Sequence, residues 1–121
     1  MTRLILEMGM GNDLYGEDYT KAACRAVQDA LHHSSLTLFS SLNINHGKMI
    51  VNVTIAVKEP ELVDKRLVAL ELPRGKIMVT VVEGGLNISD TMSGKCHIIA
   101  SAGIEAFVQI DKEKWKIKRL G

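Results

Sequence analysis

A chain of 121 residues that is 46% apolar and 24% charged has the size and balance of one folded domain with its own core, which excludes a wholly disordered chain, a fibrous repeat and a miniprotein that needs staples. Fifteen Lys and Arg against fourteen Asp and Glu leave a net charge of +1, too weak a field to draw nucleic acid or a membrane surface as partner. The two cysteines, Cys24 and Cys96, form neither a CxxC motif nor a disulfide framework, so a reducing compartment is expected.

The chain opens with Leu4, Ile5 and Leu6 followed at once by Glu7. That run is too short for a signal-peptide core or a membrane span, so a cytoplasmic location is expected. Residues 4–8 read as a short strand that stops at glycines. Gly9, Gly11 and Gly16 then punctuate a loop made acidic by Asp13, Glu17 and Asp18. Over residues 18–34 Tyr19, Ala22, Ala23, Ala26, Val27, Ala30 and Leu31 keep the spacing of one helix face, and Glu17 and Asp18 stand where the helix dipole favours negative charge. Residues 36–48, rich in Ser, Asn and Gly, carry no firm period and predict a long connection.

Residues 49–57 alternate, with Met49, Val51, Val53, Ile55 and Val57 on one face and Ile50, Asn52, Thr54 and Ala56 on the other, the pattern of a strand covered on one side. Pro60 sits near the first position of a second helix, where its missing N–H is harmless. Val63, Leu67 and Leu70 form that helix's expected buried stripe, and Pro73-Arg74-Gly75 ends it. A strand over 77–82 runs into Glu83-Gly84-Gly85, residues 87–95 read as a polar loop, and 97–110 as a long last strand. The cluster Lys112, Lys114, Lys116, Lys118 and Arg119 beside Trp115 reads as a solvated tail. The fold class is therefore α/β, a two-layer α+β sandwich forming a single domain over 1–121. Its elements run strand, helix, strand, helix, strand, strand, giving a four-stranded mixed sheet with two helices on one face.

Two helices cover only one side of a sheet. The other side carries Ile50, Asn52, Thr54 and Ala56 from one strand and Ile99, Ser101, Gly103, Glu105 and Phe107 from another. Such a face is too apolar to stay wet and too polar for an ordinary core, and burial against identical subunits resolves the conflict. A homo-oligomer, with a trimer as the expected form, follows.

Gly9-Met10-Gly11-Asn12-Asp13-Leu14 opens like a dinucleotide fingerprint, but Leu14 stands where the third glycine is required. The glycines still let backbone amides approach a ligand, and the acidity of Asp13, Glu17 and Asp18 suits a neutral heterocycle, an amine or a metal-bridged group better than a bare phosphate. Gly9, Gly11, Asn12, Asp13 and Asp18 are thus candidate ligand contacts; the bland alternative is a turn followed by a capped helix. Ser93-Gly94-Lys95 lacks the first glycine and the last hydroxyl of a phosphate loop. The four histidines have no metal spacing, so no metal site and no cofactor are predicted, with a hard divalent cation held by Asp or Glu left open.

Strand periodicity puts Ser101, Gly103 and Glu105 on one face, with Gly103 leaving space beside the hydroxyl. As a nucleophile Ser101 needs a base, for which Lys21, Lys58 and Lys95 are candidates, and Glu83 with Gly84 and Gly85 could reach the same region. The alternative is a Ser and a Glu satisfied across a subunit interface.

Nearly the whole chain resembles a family of short uncharacterised bacterial proteins named after a Listeria reading frame, through Glu7-Met8-Gly9-Met10-Gly11, Asp18-Tyr19-Thr20-Lys21-Ala22 and Val82-Glu83-Gly84-Gly85-Leu86. A weaker similarity joins Asp18-Tyr19-Thr20-Lys21 and Ser101-Ala102-Gly103-Ile104-Glu105 to one repeat of the ring-opening amidohydrolases, the cyanuric acid hydrolase and barbiturase group. Those enzymes concatenate three such units, so the resemblance implies a trimer with sites between subunits, in which a serine binds or attacks a cyclic amide. Their activating lysine before the first glycine is missing, since Glu7-Met8-Gly9-Met10 stands there. The expected function is an oligomeric, amidohydrolase-like protein for a small cyclic amide, with Ser101, Lys21 or Lys58, Glu83 and Glu105 as its chemistry. The alternative is a non-catalytic ligand-binding or regulatory oligomer.

Overall fold

The computed structural model describes residues 2–32, 49–72 and 75–108. The expected connection over 36–48, the basic cluster from Lys112 to Arg119, His33 and His46 lie outside the described residues. The elements are β1 (Thr2–Asp13), α1 (Tyr19–His32), β2 (Ile50–Val57), a 3-10 turn (Pro60–Leu62), α2 (Lys65–Ala69), β3 (Lys76–Glu83), β4 (Leu86–Ser89) and β5 (Cys96–Val108). The mixed α/β architecture follows the sequence, with α1 and α2 packed on one side of a mixed sheet.

The sheet has five strands rather than four, in the order β1-β5-β2-β3 with β4 paired to β5. β5 runs antiparallel to β1, β2 and β4, while β2 and β3 are parallel. The missed strand, β4, lies in the stretch read as a polar loop. Its pairing of Leu86 with Ile99 and Ile88 with His97 comes from the neighbouring strand, and so short a segment has no period of its own to display.

β1 continues through Asp13, so residues 9–13 are strand and not loop. Its glycines serve the helix. Added Cβ atoms would lie 2.4 Å from the Ala30 nitrogen at Gly9 and 2.2 Å from the Ala26 nitrogen at Gly11. Small residues on both surfaces, Ala22, Ala23, Ala26 and Ala30 above and Ala100, Ala102 and Ala106 below, are all buried and let α1 settle close to the sheet. β2 adds Val51, Val53, Ile55 and Val57 to this core, and each fully buried branched side chain contributes roughly 1.5–3 kcal/mol.

The second helix is broken. Val63 is extended at φ −91 and ψ 127, and Asp64 starts α2 afresh by accepting the Arg66 N–H. Thr20 of α1 holds the break, its hydroxyl donating to the Leu62 carbonyl at 3.4 Å and accepting from the Asp64 N–H at 2.9 Å. The restart changes the phase of the apolar stripe. Val63, Val68 and Leu72 are buried, whereas Leu67 and Leu70, expected inside, are 49% and 79% exposed.

Candidate functional site

Register across the strands lays out the face that looks away from the helices. One row reads Leu6, Glu105, Asn52 and Met78; the next Met8, Gly103, Thr54 and Thr80; the third Met10, Ser101, Ala56 and Val82. Asn12, Ile99 and Leu86 form a fourth row, and His97 with Ile88 closes the face. Large apolar side chains stand in the open along it, with Met8 73%, Met10 62% and Met78 55% exposed.

The polar groups sit down the middle. Ser101 is half-buried between Met10 and Ala56, and its hydroxyl has no hydrogen-bond partner among the described residues. Gly103 makes a notch beside it, since an added Cβ would meet nothing within 4 Å. Glu105 accepts from Arg3 at 3.2 Å. Four strand positions separate Ser101 from Glu105, about 13 Å at the rise of a strand, so a small ring cannot touch both carboxylate and hydroxyl of one chain.

The other residues expected to act on Ser101 lie elsewhere in the chain. Lys21 is exposed on α1, and α1 packs on the side of the sheet opposite to Ser101. Glu83 pairs in register with Val57, a core residue, and therefore belongs to the helix side. Lys58 is exposed just past the end of β2. Within one subunit the structure joins Ser101 and Gly103 and leaves Lys21 and Glu83 on the helix side, while Lys58 follows Ala56, the β2 partner of Ser101, by two positions.

The stretch over 9–18 divides into structural roles. Asp13 is buried, accepts the Asp18 N–H at 2.9 Å and receives Arg25 at 3.4 Å. Asp18 caps α1 by accepting the Lys21 N–H at 3.0 Å. Asn12 is exposed on the open face, and its carbonyl accepts from Arg25 at 2.7 Å. Gly84 and Gly85 make the turn into β4, where Gly85 holds φ +65 and an added Cβ would lie 2.4 Å from the Ile99 carbonyl oxygen.

One corner of the face leaves no signal in the sequence. His97 is bonded through Nδ1 to the Leu14 carbonyl, and Tyr15 meets its ring edge-on at 5.3 Å. A carbonyl only accepts, so Nδ1 is the donor in this contact. Glu17, at φ 52, accepts the Cys96 N–H at 2.8 Å and ties the same loop to β5. No spacing in the sequence links residues 14–17 to 96–97; only the pairing of β1 with β5 does. Among the described residues no three His, Cys, Asp or Glu side chains gather to hold a metal, and no helix is long and apolar enough to cross a membrane.

A family model described as conserved hypothetical protein (Lin0512_fam) matches residues 3–106. A crystal structure of an FtsZ-like protein of unknown function from Nostoc punctiforme is similar to the chain at 33% identity, covering 90% of this chain and 97% of that one with a TM-score of 0.78. No curated protein matches the chain.

Proposed function

Because the chain belongs to this conserved hypothetical family, whose description carries no activity, we propose from its own geometry that it is a subunit of a homo-oligomer that binds a small molecule between subunits. The observation that carries this reading is the open sheet face. Exposed Met8, Met10 and Met78 surround a polar middle in which Ser101 offers a hydroxyl that has no partner among the described residues, above the Gly103 notch. Apolar surroundings give a contact between copies its driving force, and the unsatisfied hydroxyl gives a trapped ligand its hydrogen bond. A trimer places such a junction at each subunit boundary and leaves none of the faces wet.

Binding is the leading chemistry and amidohydrolase-like turnover the second. Among the described residues no base is hydrogen-bonded to Ser101, so catalysis needs Lys58 to swing toward it or Lys21 brought over by a neighbouring subunit, with Glu105 or Glu83 handling protons. Small cyclic amides and related nitrogen compounds, which offer both carbonyls and N–H groups, are the ligand class to try. Thermal-shift titration with cyclic imides and ureides should raise the melting temperature of the native protein and leave that of Ser101→Ala unchanged. Equal shifts in both proteins would remove Ser101 from the site. Ring opening monitored by loss of ultraviolet absorbance separates turnover from binding.

A further inference from the structure

The sheet has two edges, and the chain treats them differently. On β1 the outward backbone groups are covered by α1: Asp29 accepts the Met10 N–H at 2.9 Å, and Arg25 donates to the Asn12 carbonyl at 2.7 Å. On β3, the other edge, no described side chain or strand bonds to the outer side. Between its terminal Lys76 and Glu83, β3 carries none of the usual devices against pairing, because Ile77-Met78-Val79-Thr80-Val81-Val82 holds no charge and no proline. Its helix-side residues Ile77, Val79 and Val81 are only half-buried, while Val51, Val53 and Ile55 beside them on β2 are buried. Among the described residues the helix layer stops short of this edge.

The backbone also fixes what can dock. Lys76 donates its N–H to the Met49 carbonyl and Gly84 to that of Val57, both at 2.8 Å, so even-numbered residues of β3 face β2. Ile77, Val79, Val81 and Glu83 therefore turn their N–H and C=O groups outward.

We propose that β3 pairs antiparallel with β3 of a second copy, about a twofold axis through Thr80. In that register Val79 opposes Val81 of the second copy and Ile77 opposes Glu83, so every outward residue meets an outward residue and all their backbone groups are satisfied. Met78 opposes Val82, keeping apolar beside apolar on the open face. A register centred on Val79 instead sets Glu83 against Gly75, whose φ of +91 is not a strand conformation. The twofold stands perpendicular to the sheet, so both helix layers stay on one side and the sheet runs on through two subunits. This contact is independent of the open face proposed above as the ligand-bearing junction.

The two Thr80 residues form a non-hydrogen-bonded pair on the axis, where Cα atoms lie about 4.5 Å apart, close enough for a disulfide. Thr80→Cys is made with Cys24→Ser, Cys96→Ser and Met10→Glu, the last to remove association through the open face. With oxidised glutathione it should give a covalent dimer on a non-reducing gel, and Met78→Cys in the same background should not. Val81→Pro deletes an outward N–H while sparing the ladder to β2, and should halve the mass measured by light scattering. A Thr80→Cys chain that stays single, or a Val81→Pro protein with the native mass, overturns the proposal. If the open face is no interface, Met10→Glu leaves the native mass unchanged while Thr80→Cys still cross-links, so the two failures are told apart.

Discussion

Gly11 lies against Ala26 so closely that an added Cβ would sit 2.2 Å from the Ala26 backbone nitrogen. The neighbour is main chain and cannot swing away. Overpacking costs about 1–3 kcal/mol even where side chains can adjust, so Gly11→Ala should lose about 3 kcal/mol in urea unfolding. Gly103 has open space around the same atom, and Gly103→Ala should stay within about 0.5 kcal/mol of the native protein. Equal losses at the two positions would contradict the assignment of Gly11 to packing.

Asp18 follows the glycines, where the sequence predicts a ligand contact, yet its carboxylate accepts the Lys21 N–H at the start of α1. Asp18→Ala should lower stability by about 1 kcal/mol, and Asp18→Ser should recover most of it, because any good cap supplies the same acceptor. Thermal unfolding of the three proteins without ligand is the measurement. No loss in Asp18→Ala would return Asp18 to the pool of ligand contacts.

That contrast shows how far the sequence is legible. The α1 stripe and the alternation of β2 were readable because each repeats its period over enough residues to stand out. Gly9 and Gly11 predict a loop from sequence but lie in β1, because glycine marks both turns and close approaches and only the facing Ala26 and Ala30 tell which. The second helix misled for a tertiary reason, since Thr20, more than forty positions away, pins the break before Asp64. Ser101, Gly103 and Glu105 were placed on one face from period alone, and the face is as expected. Their separation from Lys21 was hidden, because it depends on which side of the sheet α1 covers.

Cys24 of α1 titrates above the ordinary thiol range, chiefly through desolvation by burial and then through the negative charges of Glu71, Asp18 and Asp64. The folded state thus favours the neutral thiol. Its contribution to stability is present in full below the unfolded pKa of about 8.5 and is lost as pH rises through the folded value. Alkylation with iodoacetamide at pH 8.5 should be slower at Cys24 in the folded protein than in urea, followed by mass spectrometry of the labelled peptide. Equal rates would mean that burial does not hold the proton.

Asp90 behaves in the opposite sense at the turn before β5. Its carboxylate accepts the Met92 N–H and the Ser93 hydroxyl, both at 2.9 Å, and the Met92 bond is the first cause of its lowered pKa. Its stabilising effect is present above the unfolded pKa of about 3.9 and lost as pH falls through the folded value. Between native protein and Asp90→Ala, any stability difference at pH 6 should shrink on acidification to pH 3. A difference that grows on acidification would reverse the assignment.

The central claim is that the open sheet face is buried between copies of the chain. Met10, 62% exposed on that face and opposite Ser101, can take a charge without disturbing the fold of one subunit. Size-exclusion chromatography with light scattering, run on the native protein and on Met10→Glu with circular dichroism to confirm folding, tests the claim most directly. The account predicts a native mass of several chains that falls in Met10→Glu with the spectrum unchanged; a native mass of one chain, or the same mass in both proteins, would contradict it.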